Sequence, residues 1–102
     1  MLELRPGCEH CGKALPPEST QAMICSYECT FCRDCVSGLL DNVCPNCGGG
    51  FSPRPQRVRT AYRSGVHLAA QPASEKVVRK PVDPELHRAF AEPISPIPPE
   101  QR

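Results

Sequence analysis

The sequence predicts a small metal-stabilised domain, with a short hairpin and one short helix, followed by a largely disordered tail. Eight cysteines run as Cys8-x2-Cys11-x13-Cys25-x3-Cys29-x2-Cys32-x2-Cys35-x8-Cys44-x2-Cys47, and the second half of the chain has none. Apolar side chains are few. Composition changes abruptly at Gly48-Gly49-Gly50, so residues 1–50 read as a binuclear zinc-binding domain and residues 51–102 as a Pro/Arg-rich tail.

The cysteines come first because they decide whether the head folds. Two intervening residues let both sulfurs of a tight turn reach one ion about 2.3 Å away, and that spacing closes three pairs here. An even set of eight thiols makes two tetrahedral shells and predicts two Zn2+ ions, with Cys8, Cys11, Cys25, Cys29, Cys32, Cys35, Cys44 and Cys47 as ligands. Beyond Met1, only thirteen other apolar side chains lie in the first fifty residues, too few to offset the ordering of that segment. A structural zinc site contributes an apparent ~10–16 kcal/mol, so the apo head is expected to be unfolded. Disulfides are the competing staple. The N-terminal residues have no signal-peptide-like apolar run, which favours a cytoplasmic setting with reduced thiols. No stretch of eighteen apolar residues occurs, so no membrane span is expected.

Cys8-Glu9-His10-Cys11-Gly12 and Cys44-Pro45-Asn46-Cys47-Gly48 read as zinc knuckles. Glycine after the second ligand takes positive φ without a steric penalty and turns backbone N–H groups toward the sulfurs. Iron–sulfur ligation is the other option, because Cys29-x2-Cys32-x2-Cys35 precedes a Cys-Pro. It fails on spacing, since eight residues rather than three separate Cys35 from Cys44. His10 is expected to be a solvent-facing turn residue, because the eight thiolates already fill both shells; His67 and His87 have no neighbouring ligands.

Around the ligands, Ala22 to Tyr27 predict a short strand, one arm of a small hairpin, and Val36 to Asn42 about two helical turns. Val36, Leu39, Leu40 and Val43 share one helical face and, with Phe31, form a miniature core between the metal sites. Pro16-Pro17 belongs to a connecting loop.

Spacing alone leaves open how the ligands pair. Consecutive sites and interleaved sites are both possible. Phe31 before Cys32, the helical face after Cys35, and Cys44-Pro45-Asn46-Cys47 together resemble the RING-type, treble-clef cross-brace over residues 8–47, with Cys29 where that family usually has histidine. The resemblance implies Cys8, Cys11, Cys32 and Cys35 on one ion and Cys25, Cys29, Cys44 and Cys47 on the other. The consecutive alternative resembles a LIM domain. The whole head, from Met1-Leu2-Glu3-Leu4-Arg5-Pro6 to Cys44-Pro45-Asn46-Cys47-Gly48-Gly49, is also similar to the bacterial proteins grouped as domain of unknown function 1272. That resemblance implies a bacterial, cytoplasmic setting and no established activity.

The head has three basic and six acidic residues, a formal minus three; the tail has nine basic and five acidic, a formal plus four. Eight thiolates and two divalent ions would take the head near minus seven. The tail has nine of the thirteen prolines and little apolar periodicity, a composition of disorder. Arg54, Arg57, Arg59 and Arg63 near Phe51 and Tyr62 read as a solvated linker drawn to the acidic head, or alternatively as a nucleic-acid contact. Asp83 and Pro84 cap a short helix over 84–92 whose Leu86 and Phe90 form an apolar stripe suited to a partner groove. Residues 93–99 are expected to be extended and polyproline-like.

Two closed tetrathiolate sites leave no open coordination position, so no enzyme activity is expected. The reading is a non-catalytic zinc-binding adaptor that contacts an unidentified protein, or nucleic acid, and no membrane. The alternatives are a RING-type ubiquitin-ligase-like module and a redox-sensitive zinc switch. His10 before the second ligand and Gly48 after the last depart from the ligase pattern.

Overall fold

The computed structural model describes all residues from Met1 to Arg102. A flat three-stranded antiparallel sheet in the order β2-β1-β3 lies at its centre, formed by β1 (Ala22–Ile24), β2 (Thr30–Cys32) and β3 (Ser52–Pro53). In the hairpin Ala22 faces Cys32, Met23 faces Phe31 and Ile24 faces Thr30, while Ser52 and Pro53 pair with Ile24 and Met23 on the other side. The hairpin is shorter than its sequence suggests. Cys25 to Glu28 form the turn, Glu28 takes a positive φ of 66°, and Tyr27 is 73% exposed instead of continuing the strand.

After β2 the chain enters α1 (Arg33–Cys35), which widens into a π-helical turn over Val36–Leu40. The expected two turns of helix thus begin three residues earlier and end at Asp41 and Asn42, whose φ values of 52° and 54° reverse the chain. Asx side chains tolerate this left-handed region better than most. Asn42 also uses its side-chain oxygen to accept the Phe51 N–H at 2.9 Å. The predicted apolar face holds: Val36, Leu40 and Val43 are buried, Leu39 is partly buried, and Phe31 meets Phe51 edge to face at 5.5 Å. Such aromatic pairs prefer this T-shaped geometry.

The largest departure from expectation is the tail, which is ordered and runs back over the head. Its interactions are mainly polar, which is why a composition poor in apolar residues concealed them. Arg54, only 2% exposed, donates to the carbonyls of Arg5, Leu15 and Pro16 at 2.8, 3.0 and 3.0 Å. Arg57 donates to the carbonyls of Leu2 and Gln71. Further on, the Ser74 and Lys80 amides donate to the Leu4 and Glu9 carbonyls at 3.0 and 2.8 Å. Prolines add to this ordering by restricting the unfolded chain, so less entropy is lost on docking.

The helix foreseen near the C-terminus is α2 (Pro84–Ala91), and Asp83 caps it by accepting the Glu85 and Leu86 amides at 2.9 and 3.2 Å. It docks through a face other than its apolar stripe. His87 and Ala91 are buried while Leu86 is 73% exposed and Phe90 44%. The His87 ring, which sequence reading left without a partner, sets Nε2 2.9 Å from the Leu40 carbonyl; that oxygen only accepts, so Nε2 carries the proton. Residues 93–99 form turns rather than an extended segment, ending in a 3-10 turn over Pro99–Gln101. No helix is long and apolar enough to cross a membrane.

Candidate metal centre

Each end of the site starts from a knuckle whose backbone closes in the same way. The Cys8 amide donates to the Lys13 carbonyl and the Gly12 amide to Cys8, at 2.9 and 3.0 Å; Cys44 and Gly48 repeat the pattern with Gly49 and Cys44, both at 2.8 Å. Gly12 and Gly48 both sit at φ 78°. A β-carbon is unfavourable in this conformation, which explains glycine at both positions.

These turns bring thiols from distant segments together. The sulfurs of Cys8, Cys11, Cys32 and Cys35 all lie within 4.8 Å of one another, and so do those of Cys25, Cys44 and Cys47. Cys29 stands beside that trio, its thiol in contact with those of Cys25 and Cys44. The groups alternate along the chain. Residues 8 and 11 pair with 32 and 35, and residues 25 and 29 with 44 and 47, so the hairpin and α1 lie between the clusters.

A tetrahedron with ~2.3 Å metal–sulfur bonds sets its sulfurs ~3.8 Å apart. Cys11 and Cys32 are 3.7 Å apart, which fits that spacing and is far beyond the ~2.05 Å of a disulfide. All eight cysteines are free thiols. Donors also approach the second group of thiols from its surroundings. The Tyr27 amide reaches the Cys25 sulfur, Asn46 Nδ2 the Cys29 sulfur and the Gly49 amide the Cys47 sulfur, each at 3.4 Å. N–H bonds to sulfur spread thiolate charge, an arrangement suited to metal-bound ligands.

Electrostatics within the clusters point the same way. Burial pushes the Cys35 thiol well above its ordinary range, and the neighbouring Cys32 and Cys8 push it further. Burial likewise raises Cys44, with the charges of Cys25 and Cys29 adding to the shift, although amides of Asn46 and Cys47 oppose it. At Cys8 burial also opposes ionisation, but N–H groups of Cys11, Cys32 and His10 outweigh it and the thiol is lowered. Four thiolates so close together need a cation at their centre to ionise together. The first cluster therefore fits a tetrahedral divalent ion, and the second offers three converged thiols with Cys29 beside them as the fourth.

Other polar residues hold the clusters in place. Glu9 is 1% exposed; its carboxylate pairs with Arg5 at 3.0 Å and accepts the Thr30 amide, joining the first knuckle to β2. His10 is not a ligand, but neither does it face solvent. Its Nδ1 accepts the Val82 amide at 2.9 Å and its carbonyl accepts Arg79 Nε at 3.0 Å. Of the four arginines proposed to contact nucleic acid, Arg54 and Arg57 are engaged by main-chain carbonyls, Arg59 lies 3.6 Å from Glu18, and Arg63 is exposed. Glu9, Arg54 and His87 carried no sequence signal. Apart from Arg5, four positions from Glu9, their side-chain partners are 21 to 49 positions away.

The family model described as "Protein of unknown function (DUF1272)" matches residues 1–57, which include every cysteine and both Arg54 and Arg57. An uncharacterised protein of Rhizobium meliloti (strain 1021) is 48% identical over 81 residues, 79% of this chain and 89% of that protein. With 81 aligned residues, the likeness continues beyond residue 57 into the tail. No solved structure matches.

Proposed function

The chain belongs to the family of unknown function DUF1272, and from that premise we propose that it is a non-catalytic zinc-binding adaptor. Two structural tetrathiolate sites would hold its fold, in a RING-like cross-brace. The alternation of the two sulfur clusters along the chain carries this reading. Zinc suits an all-sulfur tetrahedral donor set with no redox requirement. Four thiolates per ion leave no coordination position for water or substrate, which argues against catalysis by the metal. A chain held by reduced thiols is at home in the cytoplasm.

Function then rests on the surface that the metal holds in place. Leu86 and the exposed part of Phe90 on α2, a helix anchored to Leu40 through His87, supply a small apolar contact for a protein partner. Arg59 and Arg63 retain guanidinium groups that could meet phosphate. The ligase-like alternative is weaker, because the position before the second ligand, where a conjugating enzyme would need an apolar contact, is His10, and the tail occupies it.

Metal analysis of the full chain purified without added metal tests the reading, followed by cadmium substitution and NMR to assign cysteines to ions. Two zinc ions per chain with alternating pairs is the expected result. A single ion, or iron, would refute the architecture. Chelation should collapse the NMR dispersion of the head, and a dispersed spectrum in excess chelator would show that the fold does not depend on metal.

A further inference from the structure

Of the eight thiols, only Cys11 and Cys47 are exposed, and each immediately precedes the positive-φ glycine of its knuckle. They are the points at which a chelator or oxidant would reach the two clusters. Both glycines lie under the tail. The Arg79 guanidinium sits so close to Gly12 that an added β-carbon would meet its Nη1 at 2.5 Å and Cζ at 3.0 Å, and its Nε donates to the adjacent His10 carbonyl. At the second knuckle Arg102 Nη1 donates to the carbonyls of Asn42 and Gly48 at 2.7 and 3.3 Å. Phe90 and Ile94 lie within 3.8 Å of the position a β-carbon would take on Gly48.

Between these contacts the tail is fixed by the Lys80 and Val82 amides on the first knuckle and by His87 on Leu40. The head supplies carbonyl acceptors and, with metal bound, a net negative charge at each cluster. The tail supplies one arginine to each.

We propose that the tail is a clasp that retains metal, with Arg79 closing the first cluster and Arg102 the second, each by seating its guanidinium on the knuckle turn beside the exposed cysteine. This inference rests on the two-ion reading above. It adds that metal exchange is controlled locally, site by site, from the tail. A guanidinium bonded to the His10 or Gly48 carbonyl holds the knuckle turn that carries the exposed sulfur, so that the turn opens, and its ligand leaves, less readily.

The test uses the full chain loaded with cadmium-113, which gives one NMR resonance per site, and follows each resonance after addition of excess EDTA. R79A should release the ion of Cys8, Cys11, Cys32 and Cys35 on the order of fivefold faster while leaving the other near its wild-type rate, and R102A should do the reverse; this is the scale of one partly exposed ionic contact. Equal acceleration of both sites in both variants would mark general destabilisation and overturn the clasp, as would wild-type rates throughout. R79K and R102K keep the charge with less change to packing, and they should show the same site selectivity at smaller amplitude. Failure of the wild-type chain to bind two ions would be visible before EDTA is added and would reject the two-ion reading instead.

Discussion

Replacing Arg54 by methionine would test whether polar contacts, rather than apolar burial, keep the tail on the head. The side chain is 2% exposed and has no carboxylate partner; three main-chain carbonyls accept its protons. Hydrogen bonds from a charged group contribute about 1.5 kcal/mol each at the low end, so three give ~4.5 kcal/mol. Methionine is of similar length and removes a buried charge, whose burial lowers the guanidinium from its ordinary value. That relief, with partial rehydration of the carbonyls, offsets roughly 2 kcal/mol and leaves a net loss of about 2–3 kcal/mol. Urea unfolding of the metal-loaded chain, at a slope of about 1 kcal/mol/M, should show the midpoint falling by about 2–3 M. Arg54→Lys should fall between the two, since an ammonium keeps the charge but loses the planar fork. A midpoint shift below about 0.3 M for Arg54→Met at unchanged slope would refute the reasoning and place the weight of tail docking elsewhere.

Three further outcomes follow from particular contacts. Gly48→Ala forces a β-carbon into φ 78° and should cost about 1–2 kcal/mol by urea unfolding, whereas Gly48→Asn should cost less; equal losses would rule out backbone strain as the cause. Bonds from Arg5 and Ser74 hold the Glu3 carboxyl below its usual range, so its folded pKa lies beneath its unfolded value near 4.5. Its contribution is complete above that unfolded value and disappears as pH falls through the folded one. The stability difference between wild type and Glu3→Gln should thus be constant from about pH 7 to 5 and shrink below about pH 4, acid loss of metal affecting both proteins alike. His87→Ala removes the bond to Leu40 and should abolish amide protection in α2 while leaving that of the hairpin intact, as read by hydrogen exchange; loss in both would show one cooperative unit.

Legibility in the sequence followed the range and kind of interaction. The two-residue cysteine gaps and the glycines behind them are local, and both knuckles were readable because the chemistry constrains neighbours in sequence. The face of Val36, Leu40 and Val43 was readable because apolar periodicity survives even where the helix widens into a π turn. Arg54 and Arg57 were not. A guanidinium that binds backbone carbonyls can choose any partner segment, and no residue type marks the acceptor. The same property hid the order of the tail, since low apolar content forecasts disorder only when main-chain groups cannot supply the attachment. At α2 the face that docks on the head carried no apolar signal, because a hydrogen bond from His87 and the small side chain of Ala91 make the contact.

The order of contacts along the chain also sets an order of events during synthesis. Every cysteine precedes the tail residue that braces its cluster: Cys35 is 44 positions ahead of Arg79 and Cys47 is 55 positions ahead of Arg102. At ~5–20 residues per second a ribosome needs roughly 2–11 s to cross those intervals. Both ligand sets of the nascent chain are therefore complete for seconds before the segment that braces their knuckles has been made, which is the time in which an ion can enter unopposed.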